Sequence, residues 1–458
     1  MNLMAATEEK LARRRSHPAG DGGSAAAGVD GGKEVFNDEK VVLVMVGLPA
    51  RGKSFISHKI TNFLSWLGVK ANIFNVGSLR RKAAIGKQSF DFFDVQNAAA
   101  KQQREELAYS ALDMALEWLG FGGEVAIFDA TNTTNDRRAE VMRRCQARSA
   151  DTQVIFLESI CNDTQKVSNS PDYKDMEIED AMIDLRKRIE KYESVYETID
   201  DDELSYVKLI NMQSKVVCNR IYGNMAHLLV PFLMSVHVID RPIYLCRPTH
   251  FVADGDSQSY RELNSLFDGK SAAKLSEIGE KFVQRLKNVL HDEASLTGQT
   301  EKSSAPLKGF RVYTSTTPRA LHTIGRLGVD YHPMSALNNV DSGPSLSRLS
   351  SFVIEVERQR KPTLVVSHLL NLEVIYAYLL GRRFSEKFES SIPLHVLVKL
   401  TPTQYASKTS SIKSRSNRNR IKKNMCGSSN VTDTISKQTT AVRQARSQYD
   451  CQKDILLQ

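Results

Sequence analysis

VVLVMVGLPARGKS, Val41 to Ser54, is the stretch on which the reading of the whole chain turns. Its first six residues are an unbroken apolar run rich in valine, the pattern of a strand buried on both faces. The next eight satisfy G-x-x-x-x-G-K-[ST], and a helix is expected immediately after them. In that strand–loop–helix setting Gly47, Ala50, Arg51, Gly52, Lys53 and Ser54 read as a phosphate-binding loop. The glycines let backbone amides turn inward around phosphate oxygens, and the following helix N-terminus favours negative charge. Lys53 is expected to reach the β- and γ-phosphates of a nucleotide, and the Ser54 hydroxyl to face magnesium.

Further short apolar runs follow: ANIFNV (71–76), EVAIFDA (124–130), TQVIFLES (152–159) and YVKLIN (206–211). Between them lie stretches of helical periodicity such as QQREELAYSALDMALEWL (102–119). Strands alternating with helices predict an α/β domain, a parallel sheet with helices on both faces, over residues 39–240. A second series, PIYLCR (242–247), RVYTST (311–316), TLVVSH (363–368) and LHVLVKL (394–400), predicts a second α/β domain over 241–406. Within it HDEASLTGQTEKSSAPLKG (291–309) reads as a surface loop. Residues 1–38, rich in Gly, Ala and charge, and the basic segment 407–458, rich in Ser, Asn, Lys and Arg, read as disordered.

A phosphate loop of this kind needs an acidic partner that organises magnesium. Asp129 closes the run EVAIF and so is expected at the carboxyl edge of the sheet, where open α/β sheets bind their ligands. Arginine pairs follow two strands, Arg80 with Arg81 and Arg137 with Arg138, and helical stretches supply Arg104 and Arg188. Guanidinium groups grip phosphate in bidentate fashion. Taken alone, the residues predict a P-loop kinase acting on a small anionic acceptor.

Composition agrees. The 458 residues are 41% hydrophobic and 25% charged, ordinary for soluble globular protein and long enough for two domains. No apolar run approaches a membrane span. The net charge of +9 sits largely in 407–424, which argues against nucleic acid as partner. Six scattered cysteines without a C-x-x-C pair predict neither disulfide framework nor zinc site, and a cytoplasmic location fits.

VMVGLPARGKSFIS (44–57), FNVGSLRR, FDATNTTNDRR, SPDYKD (170–175), KRIEKYESVY (187–196), KVVCNR (215–220) and PLHVLVKLTP (393–402) together closely resemble the bifunctional 6-phosphofructo-2-kinase/fructose-2,6-bisphosphatase family. That family joins a P-loop kinase to a phosphoglycerate-mutase-like histidine-phosphatase domain. The resemblance implies ATP and Mg2+ as cofactors, fructose 6-phosphate as acceptor and a homodimer. It implies catalytic roles for Lys53 and Asp129, nucleotide contacts from Asn219 and Arg220, and sugar-phosphate contacts from Arg80, Arg81, Arg104, Thr131, Arg137, Arg188 and Tyr192. Between Asn169 and Ser170 the family carries extra residues, one of them basic, that are missing here; Lys166 and Lys174 are the nearest basic residues.

The second domain departs further. Where the family reads L-C-R-H-G-E, this chain reads Leu245, Cys246, Arg247, Pro248, Thr249, His250. A phosphohistidine intermediate needs an imidazole at that point, and proline has no nucleophile. No arginine stands in NSLFDGK (264–270), and the segment bearing the family's acid glutamate is absent after LNNVDSG (337–343). Arg247, Arg319 and His368 match the remaining phosphate-site positions. The expectation is a kinase whose phosphatase is lost, with a bifunctional enzyme that has a rebuilt phosphatase site, or a non-catalytic sugar-phosphate-binding regulator, as the alternatives. Ser16 behind Arg13, Arg14 and Arg15, and the serines of the basic tail, are candidate phosphorylation sites.

Overall fold

A computed structural model describes residues 39–83, 90–93, 97–161, 176–211, 214–237, 241–249, 251–252, 274–296, 309–339, 346–384, 392–402 and 407–412. The segments carrying Lys166, Lys174, SPDYKD, His250, NSLFDGK, the arginine–serine stretch near Ser16 and the tail beyond residue 412 lie outside them.

The elements run β1 (Lys40–Val46), α1 (Lys53–Trp66), β2 (Ala71–Asn75), α2 (Val76–Ala83), a 3-10 turn (Phe90–Phe93), α3 (Ala98–Gly120), β3 (Val125–Asp129), α4 (Asn135–Arg148), β4 (Thr152–Ile160), α5 (Ile178–Glu193), β5 (Tyr206–Ile210), β6 (Lys215–Asn219) and α6 (Gly223–Leu233). β1 to β6 form one sheet in the order β2-β3-β1-β4-β5-β6, parallel except for β6. Alternation along β1 explains its unbroken apolar run. Val41, Leu43 and Met45 face a core that includes α1 and α6, and Val42, Val44 and Val46 face a core built with α3 and α4.

The second half adds β7 (Ile243–Cys246), β8 (Phe251–Val252), β9 (Lys274–Leu275), α7 (Glu277–Leu296), β10 (Arg311–Thr314), α8 (Pro318–Gly325), β11 (His332–Pro333), α9 (Leu346–Arg358), β12 (Thr363–Val366), α10 (Leu369–Leu379), β13 (Leu397–Pro402) and β14 (Ser407–Ile412). Its sheet has the order β11-β10-β12-β7-β13-β14. α7 and α8 cover one face of this sheet, and α9 and α10 the other.

The two halves share a core. Residues of α1 and α6 belong to the same buried cluster as residues of α9 and α10, so these four helices lie between the sheets. Phe63 stacks on Phe232 at 4.2 Å, and the Trp66 indole donates to the Val374 carbonyl at 2.9 Å. Lys59 meets Glu357 at 3.0 Å, and Tyr378 donates to the same carboxylate at 2.7 Å.

Two expectations are corrected. Regular structure does not stop at residue 406: Ser407–Ile412 pairs antiparallel with β13 as an edge strand. Low apolar content did not forbid this, because an edge strand draws its order from backbone pairing and is often polar. The expected loop 291–309 begins as helix, since α7 runs to Leu296.

Candidate functional site

β1 delivers the chain to the carboxyl edge of the first sheet, beside the ends of β2 and β3. Gly47 leaves β1 with φ +134°, and a Cβ there would lie 2.6 Å from the Ser159 carbonyl of β4. Only glycine fits so close to a neighbouring strand. The Gly47 amide donates to the Thr131 carbonyl at 2.9 Å, and the Ser159 hydroxyl to the Arg51 carbonyl at 2.5 Å. Ala50 at φ 58° and Gly52 at φ 79° complete the turn into α1. Left-handed residues interleaved in a short loop are how backbone amides converge on an anion.

Lys53 is buried, and its ammonium donates to the Gly47 and Leu48 carbonyls at 2.8 and 2.5 Å. Burial pushes its pKa down to about 8; the Asp129 charge opposes this, while Arg188 and Arg51 reinforce it. These charges therefore act on one another across the loop.

Asp129 is 2% exposed at the end of β3, in register with Asn75 of β2. The Asn75 amide donates to Asp129 Oδ2 at 2.5 Å and reaches Ser54 Oγ at 3.4 Å, while its Oδ1 accepts from the Ser78 amide at 2.7 Å. The Ser54 hydroxyl in the first turn of α1, the Asn75 amide at the end of β2 and the Asp129 carboxylate at the end of β3 thus stand together. Among the described residues no cluster of three or more His, Cys, Asp or Glu forms a metal cage. A hydroxyl and one carboxylate fit magnesium, which keeps several waters and takes its remaining oxygens from phosphates.

Beside these groups lies a cluster of arginines built on Phe93, which is buried. The Arg188 and Arg80 guanidinium carbons lie 3.8 and 4.9 Å from its ring centroid, and the Tyr192 ring is 6.2 Å away. Arg104 donates to the Phe92 carbonyl and lies 5.9 Å from the Phe92 ring. Arg137 rests on Tyr109 at 4.5 Å, its Nε buried without a hydrogen-bond partner. Burial pushes the Arg137 guanidinium pKa down, against Tyr109, Glu105 and Tyr192. Arginines held on aromatic faces keep their orientation.

The structure thus brings together Lys53, Ser54, Asp129, Thr131, Arg80, Arg104, Arg137, Arg188 and Tyr192. Arg81 donates to Ser78 of its own helix at 3.2 Å, and its guanidinium lies over Gly77 on the same side as the Asn75 side chain. Others stand apart. Arg138 is 2% exposed and donates to the Asn132 carbonyl at 3.1 Å and to Asn135, so it braces the loop beneath the site. Asn219 ends β6, three strands from β1, and Arg220 follows it directly. Their side chains bind carbonyls of residues 202–204, Asn219 at 3.0 and 2.8 Å and Arg220 at 3.2 Å. Asn75, Phe93 and Ser159 escaped the sequence reading. Asn75 had a readable signal, as a polar residue ending a strand, like Asp129.

At the carboxyl edge of the second sheet, Arg247, Arg319 and His368 do gather. Burial pushes the His368 imidazole down to about 4, with Arg319 and Arg247 adding to the effect. Its Nε2 lies 3.3 Å from Ser315 Oγ and 3.2 Å from Thr317 Oγ1. Arg319 donates to the Pro248 and Thr249 carbonyls, both at 3.1 Å, and Arg247 to the Ile392 carbonyl at 3.3 Å. Thr249 is fully buried, its amide bound to Thr323 at 3.1 Å and its hydroxyl to His395 at 3.0 Å.

A family profile described as 6-phosphofructo-2-kinase matches residues 32–240. Human 6-phosphofructo-2-kinase/fructose-2,6-bisphosphatase 3 is 33% identical over 427 residues, covering 82% of this chain and 77% of that protein. Human 6-phosphofructo-2-kinase/fructose-2,6-bisphosphatase 1 is 31% identical over 426 residues, covering 82% and 85%. Among solved structures, the alpha-ribazole phosphatase of Shigella flexneri aligns with 38% of this chain and 96% of its own at 16% identity and a TM-score of 0.27. Among the described residues no helix is long and apolar enough to cross a membrane.

Proposed function

The chain belongs to the 6-phosphofructo-2-kinase/fructose-2,6-bisphosphatase family, and from that premise we propose that it phosphorylates fructose 6-phosphate and no longer hydrolyses the product. In this reading ATP donates its γ-phosphoryl group. The sugar's 2-hydroxyl oxygen forms the new bond to phosphorus as the bridge to the β-phosphate breaks, and the hydroxyl proton is released to solvent, giving fructose 2,6-bisphosphate and ADP. The observation that carries it is the Phe93 cluster beside the phosphate loop: Arg188 rests on Phe93 and is also felt electrostatically at Lys53.

Each group has a role that its surroundings support. The loop amides and Lys53 hold the nucleotide phosphates. Lys53 can exchange its two carbonyl partners for phosphate oxygens, which restore its proton affinity by opposite charge. Ser54 and Asp129, aligned by Asn75, would hold magnesium, which when bound neutralises charge on the β- and γ-phosphates. Arg80, Arg104, Arg137 and Arg188 would grip the 6-phosphate, with Tyr192 against the sugar. Phosphoryl transfer depends mainly on such positioning and charge neutralisation, and little on proton abstraction.

Loss of hydrolysis is supported by the residues immediately beyond β7. Pro248 occupies the nucleophile's place, and Arg319 spends its donors on the Pro248 and Thr249 carbonyls. A coupled ATP assay with fructose 6-phosphate on wild type and Lys53→Ala tests the first part, and turnover that is absent or independent of Lys53 overturns it. Incubation with labelled fructose 2,6-bisphosphate tests the second; phosphate release or a labelled phosphohistidine overturns it.

A further inference from the structure

Glu158 sits on β4 in register with Val46, the last residue before the phosphate loop, and its side chain is fully buried. Nothing in the kinase chemistry above uses it. A buried carboxylate is costly unless its oxygens are satisfied, so its partners reveal what it holds. Tyr196 donates its hydroxyl to Oε1. Thr198 Oγ1 and the Ile199 amide donate to Oε2 at 3.2 and 3.3 Å. The Lys208 ammonium, on the neighbouring strand β5, stands 3.6 Å from Oε2 and donates to Thr198 Oγ1 at 3.3 Å.

Three of these four partners come from 196–199, the segment that leaves the C-terminus of α5. The same segment is stitched to the loop after β3: the Glu197 amide donates to the Thr133 carbonyl at 2.9 Å, and the Asn135 amide to Glu197 Oε2 at 2.5 Å. Arg138, which feels the charge of Glu158, ties Asn132 from the other side, and Asn132 donates to the Met45 carbonyl of β1 at 2.8 Å. α5 carries Arg188 and Tyr192, the two side chains of the Phe93 cluster supplied from this direction.

We infer that Glu158 is a positioning residue for the acceptor: it fastens the end of α5 to the strand beside the phosphate loop and so sets where Arg188 and Tyr192 stand. It touches neither substrate. The acceptor half of this inference rests on the proposed function, whereas the fastening of α5 does not.

The test uses the full chain with Glu158→Gln, which keeps size and one acceptor, and Tyr196→Phe, which removes one hydroxyl if the first variant folds poorly. Hydrogen exchange by mass spectrometry on residues 186–199 and on α1 reads the fastening, whatever the acceptor is. Steady-state kinetics with fructose 6-phosphate and with ATP read the consequence. Faster exchange confined to 186–199 is expected, together with a KM for fructose 6-phosphate raised about tenfold and a KM for ATP within about twofold of wild type. Unchanged exchange in 186–199 overturns the inference, as does a loss of protection spread equally over α1 with both KM values rising together. If wild type shows no sugar-phosphate turnover while exchange changes as expected, the proposed function fails and the fastening stands.

Discussion

Replacing Gly47 by alanine sets a methyl group against a backbone that cannot easily yield. The new Cβ would lie 2.6 Å from the Ser159 carbonyl, and must retreat to at least 3.0 Å. That carbonyl belongs to β4, which is paired to both β1 and β5, so the phosphate loop has to move instead. Movement stretches the Gly47 amide bond to Thr131 and the Ser159 hydroxyl bond to Arg51. The φ of +134° adds strain of about 1–3 kcal/mol for a side-chain-bearing residue, and overpacking adds a similar amount. At about 2 °C per kcal/mol for a unit of this size, the melting temperature should fall by roughly 5–10 °C. A loop displaced by a fraction of an ångström from its in-line geometry should lower kcat by about a hundredfold. Thermal melting and kcat at saturating ATP and fructose 6-phosphate read both effects. Gly120→Ala is the control: a Cβ at this last residue of α3 meets nothing within 4 Å, so it should melt no lower than wild type. If Gly47→Ala matched Gly120→Ala in both measurements, the close packing of the loop on β4 would be refuted.

Because burial holds Lys53 near a pKa of about 8, the free enzyme loses its loop ammonium as pH rises through that value. kcat/KM for ATP should therefore be flat below pH 8 and fall above it, while kcat stays level because bound phosphates restore the proton; a profile level to about pH 9.5 contradicts this. Phe93→Leu removes the ring shared by Arg80 and Arg188, at about 0.5–2 kcal/mol for each cation–ring contact. Steady-state kinetics should show KM for fructose 6-phosphate raised about tenfold or more and KM for ATP little changed. Glu357→Gln leaves Lys59 and Arg241 facing a neutral partner in the shared core, and chemical denaturation should show a loss of about 2–4 kcal/mol. Burial pushes the Glu357 carboxyl up, but Lys59, Tyr378 and Arg241 together hold it below its ordinary value. Its contribution is thus fully present above the ordinary carboxylate range and lost on acidification through the lowered one, so the variant's deficit should shrink in acid.

Much of the fold was legible because its strands are short β-branched runs that must be buried on two faces. β1, β3 and β12 need no tertiary information to be seen. The phosphate loop was legible for a similar reason, since its chemistry is local. The arginine pairs were only half legible. Successive residues on a helix point about 100° apart, so adjacent arginines start from different surroundings. Arg80 reaches the Phe93 ring and Arg137 the Tyr109 ring, while Arg81 bonds back to Ser78 and Arg138 goes beneath the loop. Asn75 and Asp129 meet only once β2 and β3 pair, 54 residues apart in sequence, so a spacing rule could not join them. Phe93 is harder still: its place among the arginines depends on α2 and α5 both bringing a guanidinium to its ring. β14 was hidden because its order comes from β13 rather than from its own composition.

The place of the second domain follows from α1. One end of this helix closes the phosphate loop at Gly52 and Lys53, and its other end carries Phe63 and Trp66 into the core shared with α10. α10 in turn starts directly after His368 of the second site, and near its end Tyr378 packs against Trp66 and the Lys59–Glu357 pair. Stripping the second half away would expose Phe63, Trp66 and Phe232, each worth about 2–3 kcal/mol of burial, and would leave Lys59 without Glu357. On the proposed function the second site stands without a nucleophile at Pro248, while the helices behind it remain part of the core that carries α1. The stability of the kinase half therefore requires α9 and α10 whatever the second site does, because they form one wall of the core on which α1 rests.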